Sequence, residues 1–341
     1  MKVMVTGSRG YIGSILVPML LEKGHDVVGL DSDLFQACTF LGDVADVPTV
    51  VKDVRDVTAA DLAGCDAVIH LAGLSNDPLG DYDPTLTDRI NHIGSVKMAK
   101  AAREAGVDRF LFASSCSNYG AAGQDFLDEH AAFNPVTPYG ESKVAVEAAL
   151  NAMAGDDFCP VYLRASTAYG LSPRIRFDLV VNNLTAWAVT TGKVYLKSDG
   201  SPWRPIVHVS DIARAYIAAM EAPRVDVFNR AFNVGTTSEN YQIRDIAVIV
   251  GEVVPDCDVA FAPDAGPDKR NYRVDCNRIH RELPGFKPQW TCRRGVEELY
   301  QAYKNVDLSL EDFEGPKYKR IDHVKKLIGQ GRLGADLRWT A

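Results

Sequence analysis

Tyr139-Gly140-Glu141-Ser142-Lys143 sets a phenol and an ammonium four residues apart. On a helix that spacing puts both side chains on one face. A phenol, with a reference pKa of about 10, is a poor base near neutrality. A cation beside it favours the ionised form, so Tyr139 with Lys143 could remove a hydroxyl proton. Upstream, Ser114-Ser115-Cys116-Ser117-Asn118-Tyr119-Gly120 closes a β-rich run. A hydroxyl at that strand end could hydrogen-bond the reacting oxygen and steady the ketone that forms. Base, hydroxyl and cation are the parts of an alcohol–ketone interconversion, which also needs a hydride acceptor.

The N-terminus supplies a place for one. Thr6-Gly7-Ser8-Arg9-Gly10-Tyr11-Ile12-Gly13 lies between a short strand and a helix. There Gly7 permits the tight turn, Gly10 lets the backbone approach a pyrophosphate, and Gly13 lets the helix pack close to the sheet. Tyr11 and Ile12 belong to the same cofactor loop. Asp31 ends the second strand, where a carboxylate accepts from a ribose diol and repels the extra phosphate of NADP. The expected cofactor is therefore NAD, with Arg9 as a mild counter-signal. Asp53-Val54 is placed beside the adenine, and Leu71-Ala72-Gly73 where small residues let the cofactor pass. His70, on an apolar strand, reads as a satisfied core histidine.

Elements to position these residues follow from the pattern of the chain. Strands are expected at 2–6, 26–30, 49–52, 67–71, 109–113 and 159–164, with helices over 11–23, 84–105 and 140–154 between them. That alternation implies an α/β fold: a Rossmann-type doubly wound parallel sheet with a smaller C-terminal α/β substrate lobe. The expected division is an NAD-binding Rossmann domain over 1–170, with later returns near 203–238. Residues 171–202 and 239–341 form the smaller lobe and C-terminal tail. Residues 173–186 read as a helix lead-in, and short strands at 207–209 and 232–234 as candidates to join the first sheet. The tail over 305–341 reads as an arm on the small lobe or part of a subunit contact.

The 341 residues are 46% hydrophobic and 24% charged, an ordinary globular balance. A net charge of -8 argues against a nucleic-acid-coating surface. No stretch approaches the roughly 20 apolar residues of a membrane span. The seven cysteines show no Cys-x-x-Cys pair, and the seven histidines are scattered, so neither a disulfide framework nor a metal site is expected. A cytoplasmic enzyme fits best.

The glycine loop, the Ser115…Tyr119-Gly120 segment and Tyr139-x-x-x-Lys143 together resemble the extended short-chain dehydrogenases that modify nucleotide sugars. UDP-galactose 4-epimerase and dTDP-glucose 4,6-dehydratase are the reference members. The resemblance extends over most of the chain, weakly beyond about residue 300. It implies a nucleotide-sugar substrate (UDP-, GDP- or dTDP-linked), a homodimer built on paired helices, and Ser115, Tyr139 and Lys143 as catalytic residues. It also implies Asn91 as a helix asparagine at the cofactor site. In Asp199-Gly200-Ser201-Pro202-Trp203-Arg204, Arg204 matches an arginine that meets the diphosphate, for which a guanidinium is suited. Asn182 is matched to a phosphate-reaching helix, and Arg270 or Arg273 to a second phosphate-binding arginine. Asp211 is expected to position structure.

Dehydratases of this kind carry an acid pair after the catalytic hydroxyl residue. Here those positions are Cys116 and Ser117, which disfavours dehydration. Cys116 reads as a small, partly buried filler, and Ser117 as a substrate-facing residue. What remains is redox at one carbon: a C4 epimerase working through a transient 4-keto sugar, with a nucleotide-4-ketosugar reductase as the alternative. A non-catalytic dinucleotide sensor is the alternative of another class, disfavoured by the intact Ser115, Tyr139 and Lys143 set. Ser172-Pro173-Arg174-Ile175-Arg176 and Asn76-Asp77-Pro78-Leu79-Gly80-Asp81-Tyr82 suggest an unusual sugar, with Arg174 or Arg176 pairing a carboxylate.

Overall fold

The computed structural model describes residues 1–75, 83–196, 199–261 and 271–340. Seven strands form one parallel sheet: β1 (Lys2–Thr6), β2 (Asp26–Asp31), β3 (Thr49–Val51), β4 (Ala67–His70), β5 (Arg109–Ser115), β7 (Cys159–Ala165) and β11 (Arg230–Val234). Their order, β11-β7-β5-β4-β1-β2-β3, reverses direction on either side of β1. In such sheets the crevice beyond the C-terminal strand ends is where ligands bind. The strands are apolar without alternation because both faces are covered: Val3, Met4 and Val5 are all fully buried.

On one face, Leu16 and Leu20 of α1 (Gly13–Glu22) pack with Val27, Ile69 and Tyr216. On the other, Met98 of α2 (Ser95–Glu104) and Val146 and Leu150 of α3 (Pro138–Met153) pack with Met4, Val68 and Phe110. The helix expected over 84–105 is three pieces. A turn over Pro84–Thr87 is capped by the Asp83 carboxylate accepting from Leu86 N at 3.1 Å. A π-helical stretch, Asp88–Gly94, precedes α2. Such wide turns recur at functional sites, and this one presents Asn91 to the loop after β4.

Beyond residue 165 the chain builds smaller units. Of the two later strands expected to return to the first sheet, β11 does so, pairing β7 from Arg230↔Val161 to Val234↔Ala165. The other does not: β10 (Trp203–His208) pairs with β8 (Thr167–Tyr169) and β12 (Asn240–Gln242) in a separate three-stranded sheet. Helix α4 (Val180–Thr191) starts later than expected, because 171–179 runs as an irregular loop. With α5 (Val209–Glu221) on the sheet, α6 (Ile243–Val253) and α7 (Cys292–Asn305) enclose a separate cluster around Phe177, Leu184, Ile246 and Tyr303.

The tail spans both regions. Phe313 and Tyr318 join the cluster around Phe177, whereas Val324 and Leu327 of α8 (Arg320–Gly329), then Leu333 and Leu337, are buried in the sheet's second cluster. Among the described residues, no helix is long and apolar enough to cross a membrane.

Candidate active site

A cleft of about 810 Å³ opens at the C-terminal ends of the strands, between the sheet and the α4–α7 cluster. At its floor the glycine loop leaves β1. Gly7 has φ +71°, and a Cβ on it would stand 2.9 Å from Ala72 N. A Cβ on Gly13 would fall 2.2 Å from the Gly7 carbonyl. Only glycine fits either place. Gly7, Gly10, Tyr11, Ile12 and Gly13 all line the cleft, and the Tyr11 hydroxyl donates to the Gly170 carbonyl at 2.7 Å.

Asp31 lines the cleft where β2 ends. Its carboxylate accepts from Arg9 N at 2.9 Å and Asp33 N at 2.8 Å. Burial pushes its pKa up and these two N–H groups oppose the shift. Further lone pairs remain for a diol. The Arg9 side chain is held by Asp33 at 2.8 Å, so the counter-signal of an NADP-type arginine is neutralised. Asp53 and Val54 line the same end. The Asp53 carboxylate is ion-paired with Arg55 at 2.6 Å. Leu71, Ala72 and Gly73 line the middle.

Asn91 is not in the cleft wall. It is buried, accepting from Leu74 N at 2.7 Å and donating to the Leu74 carbonyl at 2.9 Å, so it shapes the loop that forms the wall. His70 bridges Thr6 Oγ1 (2.7 Å) and Ser95 Oγ (2.8 Å), and burial lowers its pKa to about 3. It is a neutral core residue.

Ser115, Ser117, Tyr139 and Lys143 meet in the cleft. Helix α3 is started by Thr137, whose hydroxyl accepts from Gly140 N at 3.2 Å, with Pro138 at the first position, where a missing N–H costs nothing. Lys143 Nζ lies 5.3 Å from the Tyr139 ring centre and 4.7 Å from that of Phe112. Burial pulls the Lys143 pKa down to about 8, against the field of Glu147. Ser115 Oγ accepts from Ser117 N (3.1 Å), and the two hydroxyls are 2.9 Å apart.

Beneath them lies a buried network that sequence reasoning missed. Glu147 pairs with Arg164 at 2.7 Å and accepts from Ser114 Oγ and Asn118 Nδ2. Arg164 Nη1 donates to the Tyr119 hydroxyl at 3.0 Å. Glu147 is one turn beyond Lys143, and that spacing was the available signal. The Cys116 thiol donates to the Arg164 carbonyl at 3.1 Å, and burial pushes its pKa up to about 12. It is a filler, unsuited to proton transfer.

The substrate side departs from expectation at several positions. Arg204 lines the cleft and is 5% exposed. Asn182 does not: it is fully buried and holds the 170–176 loop, accepting from Gly170 N (2.9 Å) and donating to the Arg176 carbonyl (3.0 Å). Its neighbour Asn183 lines the cleft instead, with Leu184. Arg174 is turned away to Asp33 at 3.1 Å and to the Phe35 carbonyl, so it offers no charge to a sugar. Arg176 does line the cleft, paired with Asp178 at 2.5 Å. Arg273 is sandwiched between Phe126 (3.9 Å) and Trp203 (4.4 Å); Tyr272, its neighbour on β14 (Asn271–Val274), lines the cleft. Arg270 and the Asn76-to-Tyr82 segment lie outside the described residues. Asp211 accepts from Gln289 N and Trp290 N at 3.0 Å, a positioning role.

Residues 3–235 match the model of the NAD dependent epimerase/dehydratase family. A UDP-glucose 4-epimerase of Mycolicibacterium smegmatis is 30% identical over 314 residues, covering 89% of this chain and 99% of the relative. A UDP-glucuronic acid decarboxylase of Arabidopsis thaliana is 25% identical, covering 92% of this chain and 72% of the relative. The solved structure of MoeE5, in complex with UDP-glucuronic acid and NAD, is 27% identical with a TM-score of 0.77, covering 90% of this chain and all of that one. With the glycine cradle, the Asp31 carboxylate and the Tyr139–Lys143 pair arranged along one cleft, this chain belongs to the NAD-dependent epimerase/dehydratase family.

Proposed function

We propose that the protein is an NAD-dependent nucleotide-sugar 4-epimerase. The observation that carries this reading is the meeting of Ser115, Tyr139 and Lys143 in a cleft whose acids, among the described residues, are all placed or paired away from elimination chemistry. Among the described lining residues the carboxylates are Asp31 and Asp53, at the β2–β3 end, and Asp178, committed to Arg176. Glu147 is closed off beneath the site with Arg164. Cys116 and Ser117 hold the positions where a dehydratase carries its acids.

In this reading Tyr139 takes the 4-hydroxyl proton, aided by the Lys143 ammonium, and returns a proton to the same oxygen later. The Ser115 hydroxyl donates to that oxygen and holds the developing carbonyl. Bound NAD would supply the hydride acceptor and donor that this interconversion needs. Gly7, Gly10, Tyr11, Ile12 and Gly13 would hold its pyrophosphate, Asp31 its ribose, and Asp53, Val54, Leu71, Ala72 and Gly73 would form the remaining wall. Arg204, Asn183 and Tyr272, with Ser117, face the nucleotide sugar. The relatives act on or bind UDP-sugars by name, which supports a UDP-linked substrate here. The domain division expected from the sequence, a homodimer and a cytoplasmic setting are part of the same proposal. Free thiols at all seven cysteines support a reducing compartment.

The test is proton NMR of the purified protein with UDP-, GDP- and dTDP-hexoses and no reduced cofactor. Inversion at one sugar carbon is expected. Turnover only when a 4-keto sugar and reduced cofactor are supplied would replace the epimerase with a reductase.

A further inference from the structure

The C-terminal segment reaches the cofactor end of the cleft, beyond the part of the chain that the family model matches. After Tyr318 it leaves the small cluster and crosses to the sheet, where Val324 and Leu327 are buried. It is then fastened to the loops after β2 and β3. His323 Nε2 lies 3.1 Å from the Leu34 carbonyl, Arg55 donates to the Asp336 carbonyl at 2.9 Å, Arg338 pairs with Asp56, and Trp339 Nε1 donates to the Ser32 carbonyl at 2.6 Å. Through this crossing, two tail residues, Arg320 and Leu337, become part of the cleft wall beside Asp31, Ser32 and Phe35.

Arg320 is the unusual one. It is 8% exposed, and its guanidinium carbon stands 4.4 Å from the Phe35 ring centre. Nη2 donates to the Arg174 carbonyl at 3.2 Å, and Nε is buried with no hydrogen-bond partner. Among the described residues no carboxylate pairs with it, since Asp178 is held by Arg176. Burial and the neighbouring guanidiniums of Arg176 and Arg174 lower its pKa to about 10. A buried cation without an anion is costly. Arg176, the other cationic wall residue here, also donates to Ser75 Oγ at 3.3 Å. Asp178 lines the same corner and its field reaches Arg320, but its carboxylate is taken up by Arg176, so one guanidinium here has no ion-pair partner among the described residues; the group a dinucleotide brings is a diphosphate, for which a guanidinium offers forked donors.

We infer that residues 320–339 are a strap that closes the cofactor cleft, and that Arg320 is a cofactor-binding residue whose guanidinium pairs with the diphosphate of the dinucleotide opposite the glycine loop. The inference rests on NAD as the cofactor. It makes the strap a retaining wall, suited to an enzyme whose cofactor is restored in each turnover.

The test measures binding, not activity. NAD and adenosine are titrated calorimetrically into cofactor-stripped wild-type protein and Arg320→Met, which keeps an apolar stem against Phe35. NAD affinity should fall about 10- to 100-fold, the worth of a hydrogen bond to a charged group, while adenosine affinity stays within twofold. Unchanged NAD affinity, or equal losses for both ligands, overturns the diphosphate role. Trp339→Ala, at the exposed end of the strap, is the second variant and stands even where Arg320→Met does not fold. NAD release, followed by nicotinamide-quenched protein fluorescence, should quicken at least fivefold, and an unchanged rate overturns the strap. Failure of wild-type protein to bind NAD at all would strike the cofactor assignment, not the strap.

Discussion

Replacing Lys143 by Met should stabilise the protein while disabling it. Lys143 is 5% exposed, and its pKa is pulled from 10.5 to about 8 by burial. At about 1.4 kcal/mol per pH unit, holding the ammonium there at pH 7 costs roughly 3 kcal/mol. The rings of Phe112 and Tyr139, 4.7 and 5.3 Å from Nζ, return about 1 kcal/mol of that. Met has a similar stem and no charge to desolvate. The net gain should be about 1–2 kcal/mol. Domains of 150–250 residues shift by roughly 2–4 °C per kcal/mol, so the melting temperature should rise by a few degrees.

The depressed pKa of Lys143 also fixes a pH dependence. The folded pKa lies below the unfolded one, so the cost is complete below about pH 8. Between about 8 and 10.5 the unfolded chain binds a proton that the folded chain does not, and wild-type stability rises with pH. Thermal unfolding of cofactor-free wild-type and Lys143→Met proteins from pH 7 to 10 should therefore show a gap that favours the variant at pH 7 and narrows above pH 8. Turnover should fall by about 10²- to 10⁴-fold, because Tyr139 loses the cation that favours its phenolate. A variant less stable than wild type at pH 7, or a gap independent of pH, would refute the reasoning that the lysine is held charged at a stability cost for chemistry.

Four further variants probe the site. Tyr139→Phe should lower kcat by about 10²- to 10⁴-fold with unchanged NAD content on purification, read by absorbance and by NMR turnover. Asn182→Ala should lower stability by about 1–3 kcal/mol in urea unfolding, because it strands buried backbone groups at Gly170 and Arg176; Asn183→Ala should instead raise KM for the nucleotide sugar with little change in stability. Asp31→Ala should weaken NAD binding by about 10-fold or more and narrow the preference for NAD over NADP, since it removes both an acceptor for the ribose diol and the charge that repels a 2'-phosphate; calorimetric titration of both dinucleotides checks it.

These predictions divide along the line between what was legible in the sequence and what was not. The cofactor floor was legible because a single strand–turn–helix builds it: the spacing of Gly7, Gly10 and Gly13 reflects one local backbone requirement, met within a few residues. Tyr139 and Lys143 were legible for the same reason, as one helical face. The substrate wall has no such local rule. Asn182 and Asn183 are adjacent at the start of one helix, and the sequence cannot say which faces the cleft. That depends on how α4 is rotated by the packing of Val181 and Leu184 against distant residues. The arginines were harder still. Arg174 and Arg176 have equal claims by position, yet Asp33, distant in the chain, captures the first and leaves the second in the wall. The tail read as an arm on the small lobe or part of a subunit contact, and one of its two cleft-wall residues is an arginine whose neighbours Phe35 and Arg174 come from two other parts of the chain. A charge whose partner lies far off in sequence carries no periodicity, so a specificity wall assembled from such pairs becomes visible only when the fold brings them together.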